Sequence, residues 1–170
     1  KRRLLLEYKN MIKPLFNNIL VVINGSEASI QAAQYGILMA RLYRCDMKAI
    51  YVVDTATLKE LTISKFFVSE ESSEYEKSLT EDGKRYLNYV ENLAKAKGIK
   101  IETELRKGSV WSEVIAYADD SKTDLILLGE HKHIQSKDVI SSIYREIISH
   151  ANCSVLVVKE KDIEKLYKMA

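Results

Sequence analysis

The sequence predicts an α/β domain in which a parallel sheet carries helices on both faces. Three observations predict it. Runs such as "ILVVI" and "SVLVV" are continuous, β-branched and too short for helices, as strands buried on both sides should be. Segments of helical period separate these runs along nearly the whole chain. Glycine, asparagine or aspartate closes several of the runs, where a turn must lead from strand into helix. Strand and helix alternating in this way is the pattern of a parallel sheet with crossover helices.

Ile19 to Ile23 reads as the first strand, and Asn24-Gly25-Ser26 as the turn that ends it. Ser26 opens a helix over residues 28–43, with Ile30, Ala33, Ile37 and Ala40 on one face and small Ala33, Gly36 and Ala40 allowing close approach to the sheet. A second strand, Ala49 to Val53, ends at Asp54. Residues 55–74 have no clean period, so they are expected to form a mobile excursion, with a short helix around Leu58 to Leu61.

A long amphipathic helix is expected over residues 75–97, with Leu79, Tyr86, Leu87, Val90, Leu93 and Ala94 as its stripe and Gly98 as its stop. "KIETELR" sets Ile101, Thr103 and Leu105 against Lys100, Glu102, Glu104 and Arg106, the alternation of an edge strand with one wet face. Gly108-Ser109 starts a helix carrying Val110, Val114, Ile115 and Ala118. Leu125 to Leu128 forms the fourth strand, Val139, Ile143 and Ile147 mark a fourth helix, and Ser154 to Val158 forms the fifth strand. The charged end "KEKDIEKLYKMA" reads as a short surface helix.

The alternating third strand belongs at an edge, which leads to a single Rossmann-like domain with a five-stranded parallel sheet of order 3-2-1-4-5 and helices on both faces. The expected organisation is an extension at residues 1–15, the domain at 16–160 and a tail at 161–170. This order sets the carboxyl ends of strands one and four side by side at the switch point, where such sheets bind ligands, so Asn24-Gly25-Ser26 and Gly129-Glu130-His131 should face one crevice. It also makes strand five an edge. Val155, Leu156, Val157 and Val158 are too apolar to stand there bare, and a symmetric partner is the simplest cover.

Composition narrows the function. A chain of 170 residues can bury about two-thirds of its unfolded surface. With 46% apolar and 29% charged residues it reads as an ordinary globular protein. Twenty-six Lys and Arg against 24 Asp and Glu leave a net charge of +2, no field for gripping nucleic acid, and no nucleic-acid motif appears. Cys45 and Cys153, without a CxxC pair, fit two thiols in a reducing cytoplasm. No run approaches the roughly 18 apolar residues of a membrane span. "KRRLLLEYKNMIKPLF" has too short an apolar run, and no cleavage site, for a signal peptide. A start at Lys1 leaves open a fragment of something longer.

With "ILVVINGSEAS", "DLILLGEHKH" and "SSIYREIISHANCSVLVV" in this order and at these separations, the chain resembles a universal stress protein of the UspA type over roughly residues 17–158. One branch of that family binds ATP through a loop of Gly, two residues, Gly, nine residues, Gly, then Ser or Thr. Gly129 matches the first glycine, Lys132 stands at the second, and alignment from "HANCSVLVV" puts Ser141 and Ser142 on the final pair with the loop one residue shorter. Glycine matters there because it takes φ > 0 and lets phosphate approach the N–H groups without a Cβ in the way. The family's acidic residue before Gly-Ser is Asn24 here, which can still donate and accept hydrogen bonds. Val53 matches the position against adenine, and Asp54 follows as in the family pattern.

The nucleotide-site candidates are therefore Asn24, Gly25, Ser26, Val53, Asp54, Gly129, His131, Lys132, Ser141 and Ser142, with the adenine side more intact than the phosphate side. The plainer account of the same residues is turn and cap chemistry on an inherited fold. Lys132, His133 and Lys137 make the loop locally basic, either as an anion site or as a solvated loop. No metal set completes around His131 and His133, and no nucleophile has a placed base. Phe66-Phe67 could be a ligand lid or a partner contact. The expectation is a cytoplasmic, dimeric, non-catalytic stress-response signalling and interaction module with a degenerate nucleotide loop and no cofactor. One alternative is an ATP- or AMP-binding switch with slow or no hydrolysis; another is the cytoplasmic regulatory domain of a membrane transporter, "KRR" then lying against the membrane.

Overall fold

Residues 14–64, 69–130 and 142–170 are described by the computed structural model. β1 (Asn18–Ile23) leads into α1 (Glu27–Tyr43), β2 (Asp46–Asp54), α2 (Thr55–Ile63) and α3 (Ser69–Ala96). β3 (Glu102–Gly108), α4 (Val110–Asp120), β4 (Leu125–Gly129), α5 (Ser142–His150), β5 (Ser154–Val158) and α6 (Ile163–Met169) complete the described elements. The sheet runs β3-β2-β1-β4-β5 and every pairing in it is parallel. The expected order is the observed one.

β1 is central because its side chains have nowhere wet to point. Ile19 to Ile23 are each no more than 5% exposed. Its odd residues Ile19, Val21 and Ile23 join the core under α1 and α3; its even residues Leu20 and Val22 join the core under α4 and α5. Register is pinned at the opening of the sheet, where the Asp124 carboxylate accepts from the backbone N–H groups of Asn17 and Asn18 at 2.7 and 2.9 Å. Such charge-assisted bonds are stronger than neutral ones. β3, at the edge, is wet at Glu102 and Thr103 but lies against α3 through Leu105.

The expected excursion is corrected in part: the short helix read around Leu58 to Leu61 is there, but it extends over residues 55–63 as α2, and α3 already begins at Ser69. No period announced them because α2 buries only Leu58, while the first turns of α3 are largely solvated. Local chemistry holds both instead. Asp54 caps α2, and Glu70 and Glu71 in the first turn of α3 complement its positive end. β2 likewise begins earlier than read, at Asp46, whose N–H bonds Asn17 O at 2.7 Å. Phe66, Phe67 and Val139 lie outside the described residues.

The surface helix expected at the chain's end is α6, but it docks rather than floats, with Ile163 1% and Tyr167 7% exposed. At the end of α3 the Lys97 N–H turns to Ala94 O, leaving Leu93 O as a terminal carbonyl. The Tyr167 hydroxyl donates to that oxygen at 2.6 Å, and the Lys97 ammonium lies 4.7 Å over the Tyr167 ring. Both thiols are unpaired, and burial pushes Cys45 and Cys153 above the usual thiol range. We expect Tyr167→Phe, which keeps the ring and removes the donor, to lower unfolding free energy by about 1 kcal/mol at unchanged m-value in urea denaturation.

Candidate functional site

β1 and β2 both stop at the same end of the sheet, and the groups that follow them are ordered by short hydrogen bonds. Asn24 Oδ1 accepts from the Ser26 N–H at 3.0 Å and the Ser26 hydroxyl at 2.7 Å. Ser26 Oγ in turn accepts from Ser29 N–H at 3.1 Å, capping α1. The buried Ser29 hydroxyl donates to Ser26 O at 2.8 Å and receives the Asn24 N–H at 3.4 Å. Gly25 makes this turn at φ +80°, and a Cβ there would stand 2.6 Å from the Tyr86 ring.

Asp54 plays the same part after β2. Its carboxylate accepts from the Thr57 N–H at 3.0 Å and the Thr57 hydroxyl at 2.7 Å. Between the two turns lies a crevice of about 290 Å³ lined by Val22 and Ile23 from β1, Asn24 from the turn after it, Tyr51 to Asp54 from β2, Leu79 from α3, Val110 from α4, and Ile143 and Tyr144 from α5. Its walls are mainly apolar, which suits a flat uncharged group. Burial raises the Tyr144 phenol, and burial together with nearby Asp82 raises that of Tyr51, so both stay neutral at ordinary pH. Tyr51 stacks on Tyr86 with ring centroids 6.4 Å apart, where Gly83 leaves room for it.

Of the residues expected at a nucleotide site, Asn24, Val53 and Asp54 line this crevice. Gly25 and Ser26 shape the turn beside it without lining it. Gly129 has a packing task. A Cβ at 129 would meet the backbone carbon and oxygen of Ala28 at 2.3 Å and Ser29 N at 2.7 Å, so this glycine lets the first turn of α1 cross the end of β4. Ser142 is the exposed first residue of α5, and the two residues after it reach the crevice. His131, Lys132, Ser141, His133 and Lys137 lie outside the described residues.

Sequence reasoning missed Val22, Ile23, Tyr51, Val52, Leu79, Val110, Ile143 and Tyr144 as crevice residues. Tyr51 was the one with a signal, two residues before Val53 and so on the same strand face; the others read only as core. At the far edge, Val155, Leu156 and Val157 are half-buried, whereas Val158 is buried within its own chain at 6%. Among the described residues no group of three or more His, Cys, Asp or Glu could hold a metal, and no helix is long and apolar enough to cross a membrane.

Comparison with known proteins agrees with this architecture. The model of the universal stress protein family matches residues 15–159. Universal stress protein MJ0531 of Methanocaldococcus jannaschii is 32% identical over 149 residues, covering 86% of this chain and 84% of the relative. The solved structure of hypothetical protein MJ0577 superposes with a TM-score of 0.73 at 24% identity, over 88% of this chain and 99% of that one. A universal stress protein solved in complex with cAMP has a TM-score of 0.58 at 17% identity over 84% of this chain and 96% of its own. An Arabidopsis thaliana family member solved with AMP bound has 0.60 at 13%, over 87% and 94%. At those identities the superpositions speak for the fold.

We expect Gly129→Ala to destabilise the protein by about 3 kcal/mol through overpacking against α1, read as a lower urea midpoint in the absence of any ligand. A variant as stable as the parent would show that α1 yields easily and that the glycine serves something else.

Proposed function

Because the chain belongs to the universal stress protein family, we propose that it is a non-catalytic, dimeric signalling module whose crevice takes the base and sugar of an adenine nucleotide and holds phosphate only weakly. The observation that carries this reading is the crevice itself: about 290 Å³, mainly apolar walls, and Asn24 and Asp54 among its hydrogen-bonding groups. A purine needs flat apolar walls, and a sugar needs partners for its hydroxyls. Among the described lining residues no lysine, arginine or histidine offers a charge to phosphate.

Other observations support the same reading. Lys132 replaces a glycine in the loop after β4, and Gly129, the glycine that remains, is accounted for by its packing on Ala28. The relatives solved with cAMP and with AMP carry adenine nucleotides in this fold. Among the described residues the crevice lining contains no serine, cysteine, histidine or lysine, which supports binding without chemistry. The half-buried edge of β5, with Val155, Leu156 and Val157, supports pairing with a second copy, and a module of this kind would act in the cytoplasm by presenting its crevice and α2 to a partner protein.

Calorimetry with adenosine, AMP and ATP tests the reading. A phosphate held by charge-assisted bonds adds about 1.5–3 kcal/mol per contact, or roughly ten- to a hundredfold in affinity. We expect the three dissociation constants to agree within about fivefold, because the added phosphates find few partners. ATP binding a hundredfold more tightly than adenosine would overturn the proposal and make the protein an ATP-dependent switch. Adenosine producing no heat at millimolar concentration would overturn it in the other direction.

A further inference from the structure

We propose that Asp54 couples the crevice to α2: the carboxylate that caps this helix also accepts the ligand's sugar hydroxyls, so that occupancy tightens α2. The inference rests on the nucleoside reading of the crevice and names how that site would signal. Asp54 is both a lining residue of the cavity and the N-cap residue of α2. A carboxylate offers about four lone-pair positions. Thr57 takes two of them, through its N–H at 3.0 Å and its hydroxyl at 2.7 Å. The remaining positions are available to hydroxyl donors, and the Thr57 clamp restricts how the carboxylate can turn.

α2 is a suitable reporter because little else holds it. It has nine residues, below the length at which a helix stands alone in water, and Leu58 is its single buried side chain. At its far end Ile63 is 81% exposed, so a change in the order of α2 reaches the protein surface. A ligand that fixes Asp54 removes rotamers that would release the cap. By linkage, a firmer cap must strengthen ligand binding by the same factor. Thr57 is thus a positioning residue, and Asp54 a binding residue.

Asn24 completes the recognition. Its carbonyl oxygen is held by the Ser26 N–H and hydroxyl at 3.0 and 2.7 Å, which orients the side-chain amide and leaves its N–H₂ as the donating end. An amide donor just after β1 and a carboxylate acceptor at the end of β2 match a pair of neighbouring hydroxyls, each of which both donates and accepts.

The test is hydrogen exchange on the full chain with and without adenosine, alongside calorimetry. We expect adenosine to slow exchange of the amides in residues 55–63 at least fivefold while those of α6 in residues 163–169, away from the crevice, change little. Thr57→Val, which keeps the N–H and loses the hydroxyl, should speed exchange in α2 and weaken adenosine about threefold. Asp54→Asn should leave α2 exchange near the parent's without ligand, since asparagine caps as well as aspartate, yet weaken adenosine at least tenfold. Adenosine that binds with unchanged α2 exchange, or binds Thr57→Val as it binds the parent, would overturn the coupling while leaving the nucleoside reading intact. Absence of adenosine binding to the parent would overturn both.

Discussion

The first turn of α1 passes so close over the end of β4 that no side chain fits between them. Gly129 is the residue that permits this, with the Ala28 backbone standing where its Cβ would be. Because α1 comes so close, Ser29 is fully buried, and its hydroxyl must find partners inside the protein. It finds them in Ser26 O and Asn24 N–H, and that pairing shapes the turn after β1. The crevice at the switch point therefore depends on a contact made entirely by backbone. Changing the residue at 129 would alter the wall of the site even if no ligand touched it.

The polar groups around the crevice each have two uses. Asn24 closes the turn and presents an amide; Asp54 caps α2 and presents a carboxylate. Turn and cap residues sit at the ends of strands because backbone groups there need partners. Ligands bind at those same ends for the same reason. Inherited turn chemistry and a binding site are thus one arrangement viewed for two purposes, and the balance between them rests on what fills the apolar space between Val53, Leu79 and Tyr144.

Membership of the universal stress protein family covers residues 15–159, and α6 lies beyond that match. Even so, α6 is integral. Tyr167 satisfies a carbonyl at the end of α3 and packs under Lys97, so the last helix closes the same face of the sheet that α1 and α3 cover. A helix beyond the family match is thus part of the core of this chain.

The sequence by itself determined the sheet and its order. β1 and β4 are apolar on both faces, β3 alternates, and only an order with β3 outside satisfies all three patterns. Of the crevice residues, Asn24 was readable locally as the turn after a strand, and Val53 and Asp54 through the resemblance to the family. The sequence revealed only the middle of α2, around Leu58 to Leu61, because a helix with Leu58 as its single buried side chain produces no period to mark its ends. It could not separate Leu79, Val110 and Ile143 from ordinary core, since a wall and a core face have the same apolar pattern. Above all, it could not show the packing task of Gly129, which exists only because the fold brings Ala28 against it. Periodicity records which face of an element is buried, whereas the distance between two backbones from different elements exists only once the chain has folded.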